Sequence, residues 1–479
     1  MRSLFHPDLL PRLIVPLLLI PLLGISARPH SIERFLLEGR LAESYGAFSS
    51  ASYNLEQAAN YFYWSAELWE KAGILALKAG EPEVAVRYLD AASRIGSLSP
   101  QSLSMLGDAY FDQGENQEAI LSWQKALDSG ADSIEILTRL ASAHRELQDY
   151  VYAAQILKEL VAIRPNDAGL NYQLGILMAA IEPDSAPVYL GQAAGLDNQL
   201  ASPAQKIRRS ILTARLSDEK AYTFLASGRA LASQDEWELA AEAFRRATLE
   251  RPDFSEAWAF LGEACQHISP APEGDQRCLS HLEEAIRLDP DSIASNTFLA
   301  LYWQRNGQIE MALEYLQMVA ALDPANPAFP AEVGGLLSEM GDLPAAQTAY
   351  QQAIDLAPTD PLYWRLMAEF AIYNKIQLRE LALPAAEQAV QLNDKDPHSL
   401  MVLGNTYYLL EEYEKAEQYL LETLSLDPDF APAHLHLGMN YLLQGDVRMA
   451  AQELEQARAL APGSAIADQV DRLLHRYFP

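Results

Sequence analysis

The chain has 479 residues, with 35 Lys and Arg against 65 Asp and Glu, for a formal net charge of −30. A surface this acidic disfavours nucleic acid and anionic membrane surfaces as partners. It either keeps a surface-rich protein soluble or attracts a basic partner. Length alone would suggest about three domains.

The first 31 residues differ from the rest. Arg2 and Arg12 precede an apolar run of 13 residues, Leu13 to Ile25, short beside the roughly 20 residues of a membrane span. The run reads as a secretory signal ending near Ser26-Ala27 or as an uncleaved N-terminal anchor, with a start-site artefact or a buried first helix as the remaining readings. Either leading case places the following residues outside the cytoplasm, exported or anchored in the cytoplasmic membrane, because the positive flank stays inside. Membrane contact is expected through this segment alone.

From Ile32 onward a glycine or alanine recurs every 34 residues: Gly39, Gly73, Gly107, Ala141 and Gly175, then, after a break, Gly228, Gly262, Ala300, Gly334, Ala368, Gly404 and Gly438. This small residue is position 8 of a window. In the best-kept windows position 20 is Ala (Ala346, Ala416, Ala450), position 24 is bulky (Tyr350, Leu420, Leu454) and position 32 is Pro (Pro358, Pro428, Pro462). Apolar residues three and four apart give two short helices one sticky face each. Small residues let their backbones approach, and the proline ends the second helix. A hairpin of this kind buries its apolar face only by stacking on neighbours, so the chain grows by addition rather than around one core.

The pattern resembles the tetratricopeptide repeat, W-x2-L-G-x2-Y then A-x3-F then P. Trp69, Trp258 and Trp364 occupy position 4, and seven of twelve windows close on Pro165, Pro252, Pro290, Pro324, Pro358, Pro428 or Pro462. The resemblance implies an all-α, right-handed solenoid of helix-turn-helix units. About five repeats span 32–201 and about seven span 221–464. Residues 202–220 form an extra helix, read as a joint between the arrays or as a local basic docking spot, with Lys206, Arg208, Arg209 and Arg215 among its charges. Residues 465–479 read as a capping helix with Ile466, Val470, Leu473, Leu474 and Tyr477 on one face.

Catalytic signatures are absent: there is no G-x-x-x-x-G-K-[ST], G-x-G-x-x-G after a strand, H-E-x-x-H or G-x-S-x-G. The chain therefore reads as no enzyme, with no cofactor and no metal. One cluster stands out. Cys265 and Cys278 share a window with His267 and His281, around an insertion near Ser269–Gly274. Cys265 and Cys278 face each other across a helical hairpin, so buried thiols and a disulfide both remain open; a zinc set is a third reading whose spacing matches no common finger. A disulfide would close a loop worth on the order of 3 kcal/mol.

In the family, ligands lie in a groove lined by the first helix of each repeat, at positions 2, 5, 9 and 12. In the last two windows this implies His398, Met401, Asn405 and Tyr408, then Leu435, Met439 and Leu442. Such an adaptable strip suits peptide capture, or else packs on the neighbouring repeat or the cap. The carboxylate-clamp activity of one subfamily is not implied, because Met401 stands where that clamp has Lys. The expected function is a non-enzymatic scaffold at the cell envelope for other proteins of unknown identity. The alternative is a structural or self-assembling spacer.

Overall fold

The computed structural model describes residues 30–131, 133–268 and 276–478. Their regular structure is helical throughout, with 26 α-helices, one short 3-10 turn, one π turn and no strand among the described residues. Contacts divide the chain into two compact units, Met1–Ala243 and Phe244–Pro479.

The first unit opens with five antiparallel hairpins, from His30–Ser44 packed on Phe48–Tyr61 to Ala168–Ile181 packed on Ala186–Leu196. The second holds hairpins from Ser255–Ile268 with Gln276–Leu288 to Ala431–Gln444 with Val447–Leu460. One steric rule closes them. A β-carbon added to Gly73 would lie 2.6 Å from Leu89, one on Gly404 2.9 Å from Leu420, and one on Gly438 2.8 Å from Leu454. Position 8 thus sits directly against the side chain at position 24. Small residues at position 20 complete the contact, and Ala346, Ala416 and Ala450 are fully buried.

The turn inside each hairpin also repeats. Position 15 takes a left-handed backbone at Gly80 (φ 76), Gly341 (φ 80) and Gly445 (φ 83), and equally at Gln148 (φ 59) and Glu411 (φ 62). The next residue starts the second helix. Asp149, Asp342 and Asp446 there accept a backbone N–H from Tyr152, Ala345 and Met449. Asp167, Asp360 and Asp396 cap first helices in the same way. A carboxylate at a helix start satisfies an orphan donor and complements the helix dipole, so part of the acidity is structural.

Successive repeats are tied through the closing proline. Its carbonyl, six residues before position 4, accepts a side-chain N–H from Asn171 (2.9 Å), Trp258 (2.9 Å), Asn296 (2.9 Å) and Trp364 (2.9 Å). His434 meets the Pro428 carbonyl at 2.9 Å in the same place. The tryptophan of the sequence pattern is therefore one of several donors that fill one role.

The extra helix spans Asn198–Ala214 and packs between Ala186–Leu196 and Lys220–Ala232. Beside it, Ala168–Ile181 still touches Lys220–Ala232 directly, and the Ser227 hydroxyl donates to the Ala179 carbonyl at 2.6 Å. The two-residue insertion in window 361–396 is absorbed by the π turn Leu378–Ala382. At the far end Ala465–Tyr477 covers the last hairpin. Val470 is fully buried there with Leu435, Leu454 and Ala457, whereas Tyr477 is exposed.

One expectation is corrected here. No helix among the described residues is long and apolar enough to cross a membrane. The longest, Asn198–Ala214, has 17 residues and carries Lys206, Arg208 and Arg209. The expectation that the repeats are exported or anchored on an extracytoplasmic side is therefore withdrawn; the apolar run Leu13–Ile25 and the Ser26-Ala27 junction lie outside the described residues.

The position 8 rule has a built-in control in Gly334-Gly335. A β-carbon on Gly334 would press the Tyr350 ring at 3.0 Å, while one on Gly335 meets only the Tyr350 hydroxyl at 3.7 Å. Gly334→Val is expected to destabilise by about 1–3 kcal/mol through overpacking, and Gly335→Ala to stabilise by up to about 1 kcal/mol through helix propensity. Urea denaturation followed by circular dichroism checks both, and an unchanged midpoint for Gly334→Val would refute the rule.

Candidate protein-binding surface

The hairpin core consumes positions 8, 20 and 24; positions 2, 5, 9 and 12 of the first helices vary, with Ile176, Leu225, Ala259 and Ala331 buried and those of the fourth window reaching the surface. In the fourth window Glu135 and Ser142 are exposed and Thr138 and Arg145 half-buried on Ser133–Glu146. A cavity of about 180 Å³ opens beside them, lined by Ser142, Arg145, Glu146, Gln173 and Leu177. It lies between the first helices of two adjacent repeats. Arg145 is held there by Glu236 at 2.5 Å.

In the window beginning at Ser255 the same face is closed by charge. Glu263, at position 9, is 7% exposed. Arg305 of the next first helix reaches its carboxylate at 2.8 Å and 3.0 Å, and His267 approaches it at 3.1 Å. Such pairing is what makes a buried carboxylate tolerable. This network joins residues 42 apart and had no local signal in the sequence.

The seven residues expected to form the groove divide. His398 is exposed, with its ring edge-on to Phe430 at 4.7 Å. Asn405 is half-buried and has no hydrogen-bond partner among the described residues. Met401 and Tyr408 are half-buried against the cluster around Tyr363, Met367 and Tyr407. Leu435 is 4% exposed and belongs to the interior that the cap seals. Met439 and Leu442 pack into the same interior, with Leu442 also against Phe478. The structure thus leaves His398 and Asn405 outward-facing and turns the 435–442 stretch toward the cap.

Cys265 and Cys278 are bonded to each other across their hairpin, with Cα atoms 5.3 Å apart. Cys278 is fully buried beside Leu282, Leu299 and Tyr302. No group of metal-ligating side chains occurs among the described residues. His281 instead lies 5.6 Å from the Trp258 ring and His267 meets Glu263, while residues 269–274 of the insertion lie outside the described residues.

Titration is perturbed mainly by burial. The Tyr441 hydroxyl donates to Glu417 at 3.1 Å, and burial with that carboxylate pushes its pKa up to about 12. The Tyr407 hydroxyl does the same to Glu387 at 2.9 Å and is also raised. Both tie one repeat to the previous one. His434 is more informative. Burial opposes its charge, but Glu453 at 2.6 Å and the Pro428 carbonyl at 2.9 Å outweigh that and raise its pKa above 6.5. Both ring nitrogens meet acceptors, an arrangement that only the protonated ring satisfies. His436, two residues on, has a buried Nδ1 with no partner, and burial pushes its pKa down to about 4.

These features define a class of protein: an α-solenoid of stacked helical hairpins whose first helices share one repeated face. Tetratricopeptide-repeat profiles match residues 70–134, 104–168, 225–267, 304–370 and 397–430. The chain belongs to the tetratricopeptide repeat family. It is similar to human protein O-mannosyl-transferase TMTC1, at 27% identity over 216 residues, 43% of this chain and 23% of that protein. It is similar to superkiller complex protein 3 of Mus musculus, at 23% over 375 residues, 76% of this chain and 21% of that protein. The anaphase-promoting complex subunit CDC16 of Saccharomyces cerevisiae matches at 23% over 354 residues, 70% of this chain and 40% of that protein. The chain spans less than half the length of each. Among solved structures, yeast Tom70 aligns over 88% of this chain and 96% of its own, at 16% identity and a TM-score of 0.45.

Two outcomes follow from this geometry. The raised pKa of His434 means that its contribution to stability is complete below about pH 6.5 and is lost as pH rises through its folded value. His436 acts oppositely and only below about pH 6.5, so it leaves that window clear. Urea midpoints should therefore fall as pH rises above about 6.5, and Glu453→Gln should remove that component; an identical pH profile in the variant would refute the assignment. For the cysteine pair, Cys278→Ala should cost about 2–5 kcal/mol. Two reactive thiols in protein kept oxidised and then denatured would show that the pair is not bonded.

Proposed function

We propose that the chain is a non-catalytic adaptor that holds segments of other proteins on the repeated face of its first helices. The observation that carries this reading is the open cavity between Ser133–Glu146 and Ala168–Ile181. There the groove position Ser142 stays exposed beside Gln173 of the next repeat, with Arg145 already paired to Glu236. Asn405 and His398 offer the same kind of unsealed polar group in the second unit. A half-buried amide without a protein partner is stabilised when a ligand supplies one.

Family membership supports the reading, and two of the relatives are named as members of multiprotein complexes. The transferase activity in the name of a third is not carried over, because the alignment covers 23% of that protein. The C-terminal helix argues against a self-assembling spacer at that end. It buries Val470 and turns Asp468, Asp471, Arg472 and Arg476 outward, which is how a solenoid stops growing.

Affinity capture with the full chain tests the reading. Ser142→Arg, which fills the cavity, and the pair His398→Ala with Asn405→Ala should leave folding unchanged. At least one of them should retain about tenfold less of a captured partner, equivalent to about 1.4 kcal/mol. Equal retention by both variants would remove the first-helix face from the function. Concentration-dependent assembly of the chain by itself, with no partner retained, would favour the spacer instead.

A further inference from the structure

The first unit contains a second concave surface, away from the Ser142 cavity. Helices Asn198–Ala214 and Lys220–Ala232 enclose a groove of about 560 Å³. Its floor is Ala214, Leu225 and Ala226, and the Ser210 hydroxyl pins the two helices together by donating to the Ala226 carbonyl at 2.9 Å. Lys206, Arg209, Thr213, Tyr222, Arg229 and Ser233 stand around it.

Charge makes this groove unusual. The chain carries 65 carboxylates, yet none lines the groove, while three cations do. The cations of Asn198–Ala214 and of the turn that follows it are used in two ways. Arg215 pairs with Asp184 at 3.2 Å, and Arg208 reaches Gln205 and packs over Gly191. Lys206 and Arg209 turn the other way into the groove, exposed and with no ion pair among the described residues. In a protein of net charge −30, nearby carboxylates would ordinarily supply partners for such cations.

We propose that this groove binds an acidic segment of a partner protein. The proposal deepens the adaptor reading and rests on it, but uses a different surface from the first-helix face. Lys206, Arg209 and Thr213 are three and four residues apart and line one side of their helix for about 10 Å. That matches about three residues of an extended peptide. Carboxylates on such a segment gain charge-assisted hydrogen bonds from Lys206 and Arg209. An apolar neighbour rests on Tyr222, which is 39% exposed, above the buried Leu225. Concavity over an apolar floor focuses the positive field locally, against the sign of the whole molecule. A volume of about 560 Å³ falls within the usual range for binding pockets and accommodates several side chains, rather than one small anion.

The test is fluorescence anisotropy with the full chain and two labelled eight-residue peptides, one alternating Glu with Leu and the other Gln with Leu. The Glu peptide should bind at about 50 mM salt and weaken several-fold at about 300 mM, as screening shortens the reach of surface charge. The Gln peptide should not bind. Lys206→Glu with Arg209→Glu should weaken the Glu peptide at least tenfold. The control pair Lys125→Glu with Arg164→Glu makes the same change in net charge on exposed residues elsewhere in the unit and should leave binding unchanged. If charge reversal unfolds the unit, Lys206→Gln with Arg209→Gln replaces it with the same direction of effect. Equal binding by the groove and control variants, equal binding of both peptides, or no binding of the Glu peptide at low salt would overturn the proposal. If the chain still retains partners through Ser142 or Asn405 in that event, the adaptor reading stands and only this groove falls.

Discussion

The contact between position 8 and position 24 is the constraint on which the rest of the structure depends. A β-carbon on Gly73, Gly404 or Gly438 would overlap the leucine opposite, so the two helices of a hairpin close only where position 8 is small. That closeness sets where the turn must fall, which is why position 15 adopts a left-handed backbone even at Gln148 and Glu411. It also brings the alanines at position 20 to full burial. Once a hairpin is closed its remaining apolar residues point along the stack, and only a neighbour or a cap can cover them.

Polar groups then fix how neighbours meet. At five of the seven closing prolines the carbonyl takes a donor from the next repeat, at Asn171, Trp258, Asn296, Trp364 or His434. Tyrosine hydroxyls at 110, 407 and 441 reach carboxylates of the preceding repeat at Asp90, Glu387 and Glu417. Together with the aspartates that cap helices, these contacts give many carboxylates a structural task. The groove lined by Lys206 and Arg209 departs from that pattern, since these two side chains meet no carboxylate among the described residues.

Much of this was legible in the sequence, because the period, the small residue at position 8 and the closing proline are strictly local signals. The cap was legible too: Val470 and Leu474 lie toward the last hairpin while Asp468 and Arg472 face outward. Other features were hidden for physical reasons. The donors at position 4 share one N–H and nothing else, so Asn171 and Asn296 gave no hint that they stand where Trp258 does. Leu435 occupies position 5, which is buried at Leu225, Ala259 and Ala331 as well, and here the cap covers it; what stacks next is not written in the window itself. Glu263 and Arg305 lie 42 residues apart and meet only after two hairpins have stacked. Leu13–Ile25 lies outside the described residues, none of whose helices is long and apolar enough to cross a membrane.

The central claim is that folding spends the inward positions of each hairpin and leaves the first-helix face for a partner. Hydrogen exchange, measured on the full chain alone and with a captured partner, tests it most directly. The account predicts added protection on Ser133–Glu146 and Ala168–Ile181, or on Pro397–Leu409, with second helices such as Tyr150–Ile163 and Tyr413–Leu426 unchanged. Protection confined to the second helices would contradict it.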